Sequence, residues 1–314
     1  MSEKYAFGID VGGTTVKLGL LSVKGELLDK WEVKTRTEDG GKNILPDIAG
    51  SIKEKMKEKG IDKSEITGAG IGLPGPVDET GLIRKAVNLG WDRNFNVAEE
   101  LSELLDGMKV KAGNDANVAA LGEMWQGAGK GHKDVIMVTL GTGVGGGIIH
   151  DGKIITGATG AAGEIGHIFI QEGEKDACGC GNRGCLEQYA SATGIVRLLN
   201  QELEASDEDS MMRHVPVSAK QMWMAVEKGD ALSVRVAEKF GYYLGTGLSI
   251  IAGVLNPEVF VLGGGVSMSG DIIMPFITKN FKEHVFHASR DTMIVRATLG
   301  NNAGIIGAAK MAID

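Results

Sequence analysis

The 314-residue chain has no surplus of positive charge. Its 33 Lys and Arg stand against 41 Asp and Glu, for a net charge of −8. A nucleic-acid backbone is met by a basic face, so nucleic acid is excluded as the main partner. No apolar run reaches the length that spans a bilayer, which excludes a membrane anchor of that kind. The opening MSEKYAFGID enters a strand-like pattern within about five residues, too early for the apolar core and cleavage site of a signal peptide. Cysteine is scarce at three residues, too few for a disulfide framework. Few, reduced thiols indicate a cytoplasmic protein. The P-loop pattern G-x-x-x-x-G-K-[ST] is also missing. Glycine is abundant at 48 residues, but it clusters without a fixed period, so collagen-like and low-complexity readings fail. With 43% hydrophobic and 24% charged residues the chain can bury a core and stay in solution, as one large or two medium domains.

The few cysteines lie together. The segment Glu164 to Glu187, EIGHIFIQEGEKDACGCGNRGCLE, holds His167, Cys178, Cys180 and Cys185 with the spacing H-x10-C-x-C-x4-C. Thiolates and imidazole are the ligands Zn2+ prefers, and four of them close a tetrahedral structural site. Gly179, Gly181 and Gly184 let the backbone turn tightly between the thiols. A disulfide is the weaker reading, since three thiols leave one over and Cys178 and Cys180 are too close for an easy bridge. Four protein ligands leave no open position for water, which argues against a zinc hydrolase. Glu164 and Glu187 flank the segment, and His167 has a second ring nitrogen. Fixed by a metal clamp, these groups would suit a substrate rich in hydroxyls.

Along the chain, residues 5–11, then Gly12-Gly13-Thr14-Thr15, then VKLGLLS predict strand, turn and strand, with a third strand through WEVKT. Such a turn offers N–H groups and hydroxyls to an anion, and Asp10 at its mouth could hold Mg2+ through water. Ile44, Ile48, Ile52 and Met56 predict an amphipathic helix over 41–59. A strand then enters a Gly-Pro turn from Leu73 to Val77, where Gly75 permits close approach to its backbone. Asn88 lies in a loop as a neutral amide suited to a hydroxyl. Asn114-Asp115 sits where a short strand gives way to a helix over 116–126. Asp115 is open to two roles that compete for the same oxygens: capping that helix, or taking a proton from a substrate hydroxyl at the end of a strand.

Gly141-Thr142-Gly143-Val144-Gly145-Gly146 satisfies G-x-G-x-x-G. The dinucleotide reading is rejected, because that fingerprint needs a helix after the glycines. Here Ile148-Ile149 continue a strand and Asp151-Gly152 predicts a hairpin turn. The shape repeats residues 5–21, an internal duplication whose two half-sites would suit a nucleoside triphosphate. Gln201–Pro216 is polar and acidic and predicts an exposed connection. Helices follow near 218–228 and 230–254. The segment 258–267 predicts a buried strand followed by Gly263, Gly264 and Gly265, a backbone on which a flat base could lie, and a helix begins near Gly270. A last helix from Asn301 is expected to pack back on the first lobe.

These motifs resemble those of bacterial glucokinases of the ROK family (repressor, open reading frame, kinase), within the sugar kinase/actin-like ATPase superfamily. The resemblance covers essentially the whole chain and rests on DVGGTTVKLG, LPGPVD, GNDAN, LGTGVGGG, GEIGH, CGCGNRGCLE and LGGGVS. It implies an α/β, two-lobed actin-like (ribonuclease H-like) ATPase fold with a cleft between lobes and a zinc-binding loop. The expected lobes are residues 1–115 plus 300–314, and residues 116–299. It further implies ATP-dependent phosphorylation of glucose at the 6-hydroxyl, with Asp115 as the general base. Gly75, Asn88, Asn114, Asp115, Glu164, His167 and Glu187 would bind the sugar. Gly12, Gly13, Thr14, Thr15, Lys17, Gly141, Thr142 and Gly143 would hold the ATP phosphates, with Asp10 on the Mg2+ side and Gly263, Gly264 and Gly265 near the adenosine. Zinc would be structural, bound by His167, Cys178, Cys180 and Cys185, with the second nitrogen of His167 on the sugar. A homodimer is implied. Within the family the alternatives are kinases of N-acetylmannosamine, N-acetylglucosamine or fructose, a polyphosphate donor, and a sugar-sensing repressor. The repressor is disfavoured here by the acidic charge and by the first strand starting near Tyr5.

Overall fold

The structure is a computed structural model that describes residues 4–314. The stretch before Lys4 lies outside the described residues, and with it the expected lack of a leader. The described chain forms two compact units. One holds the residues up to Met137, Gly147–Gly163 and Thr298–Asp314, and the other holds Val138–Gly146 and Glu164–Ala297.

The first unit opens with β1 (Tyr5–Val11), β2 (Thr15–Ser22) and β3 (Leu27–Lys34), followed by α1 (Ile44–Lys59) and β4 (Ile66–Leu73). After a small hairpin of β5 (Leu82–Ile83) and β6 (Phe95–Asn96) come α2 (Val97–Leu104), β7 (Val110–Asn114) and α3 (Asp115–Gln126). The main sheet runs β3-β2-β1-β4-β7. Its β1–β2 and β2–β3 pairs are antiparallel, and its β1–β4 and β4–β7 pairs are parallel. Phe7, Ile9, Leu18 and Ile71 are fully buried from the sheet, and Ile44, Ile48 and Ile52 of α1 pack into the same core. Each such side chain contributes roughly 1.5–3 kcal/mol when withdrawn from water. The predicted apolar face of α1 is thus the core face, with Met56 packed at its margin.

Next come β8 (Val135–Leu140), β9 (Val144–His150) and β10 (Lys153–Ile154). Asp151 and Gly152 between the last two have φ of 46° and 75°, the left-handed pair that a tight hairpin requires. The second unit then builds α4 (Glu187–Ala190), α5 (Ala192–Ala205), α6 (Ala219–Glu227) and α7 (Ala231–Leu255). It continues through β11 (Val259–Gly263), α8 (Met274–His284) and β12 (Met293–Arg296). The second five-stranded sheet has the order β10-β9-β8-β11-β12. That is the order of the first sheet strand for strand, a hairpin trio followed by two later strands, as the duplicated glycine turns suggested.

The chain ends in α9 (Ala303–Ile313), which packs on β1, β4 and α3 within the first unit. The compact units do not follow the boundary expected after Asp115. Residues 116–137 belong with the first unit because α3 and α9 meet backbone to backbone. A Cβ on Gly122 would lie 2.2 Å from the Ala303 carbonyl oxygen, and one on Gly307 would lie 1.7 Å from that of Val118. A second expectation also needs correction. Gln201–Ala205 is the last turn of α5 and not part of a linker. Its Glu202 is paired, with Arg235 at 3.1 Å and Lys239 at 2.5 Å. Among the described residues no helix is long and apolar enough to cross a membrane.

Candidate functional site

The candidate residues fall into two groups, one in each unit. In the first, β1 and β2 are joined by an exposed turn in which the Gly12 N–H donates to the Thr15 carbonyl at 3.0 Å. Thr35 Oγ1 donates to the Gly12 carbonyl at 2.7 Å and holds the turn from behind. Asp10 and Lys17 are register partners across the pair. Burial pushes the Asp10 carboxyl above its ordinary value, against the opposing pull of Lys17. The side chain lies against α9, where a Cβ on Gly304 would come 2.7 Å from Asp10 Cγ. Asn88 is exposed in a 3-10 turn at Val87–Leu89, and its carbonyl lies 3.8 Å from the Cβ position of Gly13.

The junction of β7 and α3 settles which residue caps the helix. Asn114 is the N-cap, and its Oδ1 accepts from Ala116 N at 3.0 Å and Asn117 N at 3.2 Å. Its Nδ2 donates to the Gly75 carbonyl at 3.1 Å, and Gly75 has a φ of 101° that only glycine adopts without strain. Asp115, one position on, accepts from Ala116 N at 2.8 Å with one carboxylate oxygen. Burial raises its carboxyl above the ordinary carboxylate value. The Ala116 N–H works against that rise, and the Asp10 charge adds to it. Two partly desolvated carboxylates therefore share one neighbourhood, which is the arrangement in which a carboxylate acquires base strength.

In the second unit, the turn at Gly141–Gly143 is closed by Gly141 N–H donating to the Gly143 carbonyl at 3.0 Å, and Ala192 N donates to the Gly141 carbonyl at 2.7 Å. Glu187, at the start of α4, stands against this turn, where a Cβ on Gly143 would lie 2.5 Å from Glu187 Oε2. Its other oxygen accepts from Cys178 Sγ at 2.9 Å. Glu187 thus links the glycine turn to the thiols.

The ligand atoms of His167, Cys178, Cys180 and Cys185 all lie within 4.8 Å of one another. Cys178 Sγ is 3.7 Å from His167 Nδ1, and Cys180 Sγ is 3.7 Å from Cys185 Sγ. A tetrahedral zinc with Zn–S bonds near 2.3 Å requires sulfurs roughly 3.8 Å apart, so these separations fit one ion. Without a cation, burial pushes the Cys178 thiol up to about 12 and also raises Cys185, while the Asn182 N–H lowers Cys180. Thiols this close cannot ionise together without a positive charge between them. Nδ1 faces the thiols, and Nε2 lies 3.8 Å from Glu164 Oε2. The loop is also tied down without metal. Glu174 pairs with Arg197 at 2.8 Å and accepts from the Tyr189 hydroxyl. Burial alone would raise Glu174, but these bonds outweigh it and bring the carboxyl down to about 2.

Beyond the second glycine turn lies a cavity of about 640 Å3, lined by Gly265, Val266 and Met268 together with Lys220, Trp223, Met224 and Glu227 of α6. Gly265 is at its wall, Gly264 is exposed, and Gly263 is buried in β11. The α6 residues carry no sequence motif. Their place in the cavity wall shows only once that helix is seen beside the end of β11.

A model of the ROK family matches residues 6–314. The glucokinase of Halalkalibacterium halodurans is 42% identical over 313 residues, covering 98% of this chain and 94% of that protein. The N-acetyl-D-glucosamine kinase of Aliivibrio salmonicida is 32% identical over 317 residues, covering 96% of this chain and 98% of that protein. A crystal structure of a ROK family glucokinase from Streptomyces griseus in complex with glucose and AMPPNP superimposes with a TM-score of 0.75 at 33% identity, covering 98% of each chain. The α/β fold of two five-stranded sheets is shared with that kinase. On a family match across nearly the whole chain, and a relative 42% identical over 98% of it, this chain belongs to the ROK family.

Proposed function

We propose that the chain catalyses ATP-dependent phosphorylation of glucose at its 6-hydroxyl, giving glucose 6-phosphate and ADP. The observation that carries this reading is Asp115. It lies at the carboxyl end of β7, its basicity is raised by burial and by Asp10, and Asn114 fills the cap that would otherwise occupy it. Asp115 takes the proton of the 6-hydroxyl. The sugar oxygen then bonds to the γ-phosphorus of ATP, and the bond to the β–γ bridging oxygen breaks, with its electrons leaving on ADP. Such a transfer needs positioning and charge neutralisation more than covalent help.

In this reading Gly12, Gly13, Thr14, Thr15 and Lys17 of the first turn, and Gly141, Thr142 and Gly143 of the second, serve the ATP phosphates. Asp10 serves Mg2+, which would neutralise the developing charge. Gly263–Gly265 and the cavity beside Gly265 suit an adenosine, with Trp223, Met224 and Met268 as apolar walls. Asn88, Asn114, Gly75, Glu164, His167 and Glu187 serve the sugar hydroxyls. Zinc is structural here: Cys178, Cys180, Cys185 and His167 Nδ1 would hold it, leaving Nε2 and Glu164 on the sugar side. A cytoplasmic homodimer completes the proposal.

The test is phosphorylation by the purified protein with ATP and Mg2+, run across glucose, mannose, fructose, N-acetylglucosamine and N-acetylmannosamine. Glucose is expected to give the highest kcat/KM, and Asp115→Asn to lower kcat by on the order of 100-fold or more with sugar binding largely kept. Near-parental turnover in that variant would remove Asp115 from the role of base. A second reading, phosphorylation of N-acetylglucosamine, is favoured by the relative of that name at 32% identity. It keeps the same base and would appear as a preference for the acetylated sugar.

A further inference from the structure

The β7–α3 junction places two side chains in different work. Asn114 uses Oδ1 on the two leading amides of α3 and Nδ2 on the Gly75 carbonyl. Its side chain also bonds the Asp115 carboxylate and pulls that carboxyl down, so the amide hydrogen not given to Gly75 is committed to Asp115. Asp115 accepts the near amide of Ala116 at 2.8 Å and also meets its own backbone N–H. The first N–H groups of a helix are orphan donors, and a carboxylate next to them is the strongest acceptor available. If the cap were removed, Asp115 would be the nearest group to satisfy them. The Gly75 loop would at the same time lose its tie to the strand end.

We propose that Asn114 is a positioning residue for the reaction. It occupies the helix cap so that the Asp115 carboxylate stays turned to the sugar hydroxyl, and it locks the Gly75 loop against the same strand end. The inference rests on the reading of Asp115 as base and goes beyond it, because it assigns Asn114 to the base and the loop, with direct sugar contact secondary.

Two substitutions separate the parts. Asn114→Ser keeps a cap acceptor and loses the donor to Gly75. Asn114→Ala loses both. In Asn114→Ala the carboxylate loses the one Asn114 amide but recruits the leading amides of α3, which outweigh it and stabilise the charged form, so the acid limb of the pH–kcat profile moves to lower pH and kcat falls by about tenfold or more. In Asn114→Ser the acid limb returns to the parental position, and the residual defect appears in the KM for glucose through the loosened Gly75 loop. The Asp115 carboxyl is also titrated by NMR in sugar-free protein, a readout independent of turnover, where Asn114→Ala should show it lower than in the parent. If both variants raise the glucose KM alike while kcat, acid limb and carboxyl titration stay parental, Asn114 is a sugar contact and the proposal is wrong. Should Asn114→Ala not fold, the serine variant still decides, since a sugar-contact role predicts no rescue of kcat by a capping hydroxyl. Failure of the underlying reading looks different: Asp115→Asn would then keep parental turnover and its acid limb.

Discussion

The two glycine turns occupy equivalent places in sheets of identical strand order, yet they are backed by different chemistry. Behind the turn at Gly12–Thr15 stands Asp10, withdrawn from water against α9, with Lys17 across the strand pair. Behind the turn at Gly141–Gly143 stands Glu187, bonded to Cys178 and so to the His167 and cysteine cluster. One carboxylate is kept basic by burial. The other is anchored as a strut between a phosphate-type turn and a metal-type cluster. The two sheets thus share strand order and a glycine turn, and what differs is the side chain behind each turn.

A Cβ introduced behind each turn breaks that comparison most sharply. In Gly304→Ala the new methyl would sit 2.7 Å from Asp10 Cγ and displace the carboxylate. An error near 1 Å at a reacting centre costs on the order of 100-fold, so kcat should fall by about that much while bound zinc is unchanged. In Gly143→Ala the methyl would sit 2.5 Å from Glu187 Oε2 and push that strut off Cys178. There both the KM for ATP and the retained metal should suffer. Equal metal content in the two variants would show that Glu187 does not couple the turn to the cluster.

Smaller in effect, Cys180→Ser sharpens what the cluster does. Loss of one ligand should weaken metal binding and lower activity together, by about 10- to 100-fold. The loop itself should stay in place, because Arg197, Glu174 and Tyr189 hold it independently of metal. Metal analysis, turnover and circular dichroism on the same sample test this. A variant with full activity and no bound metal would detach the cluster from catalysis, and one that unfolds would show the clamp to be insufficient.

Local patterns were legible where one short segment determines the outcome. The amphipathic face of α1, the left-handed Asp151-Gly152 turn and the four clustered metal-type ligands all follow from spacing along a few residues. The family motifs were also legible, because each is contiguous. Three things were not. Which of Asn114 and Asp115 caps α3 is decided by a one-residue difference in where β7 ends, finer than any propensity resolves. The turn Gln201–Ala205 reads as a solvated linker because the partners of Glu202, Arg235 and Lys239, lie more than thirty positions away. The cavity wall from α6 and the packing of α3 on α9 are long-range contacts, invisible to periodicity. The sequence thus located the candidate groups, whereas the contacts inside each group show only in the fold.

The smallest expected effect is on stability, and its sign separates a functional carboxylate from a structural one. The folded state raises the Asp115 carboxyl above its unfolded value, chiefly through burial. Such a group contributes stability below its unfolded pKa, and that contribution is lost as pH rises through the folded pKa. At pH 8 the ionised, partly desolvated Asp115 is therefore a net burden on the fold. Asp115→Asn removes the burden and should be more stable than the parent at pH 8, by roughly 1 kcal/mol, with a smaller gap at pH 5. Glu174 has the opposite sign. Its carboxyl is held down to about 2 by Tyr189 and Arg197, so its contribution is present above the ordinary carboxylate range and is lost only in acid. Glu174→Gln should therefore destabilise at pH 8. Thermal denaturation of the three proteins at both pH values reads the contrast directly. A destabilised Asp115→Asn would mean that the carboxylate holds α3 together after all, and that the helix cap is shared between Asn114 and Asp115.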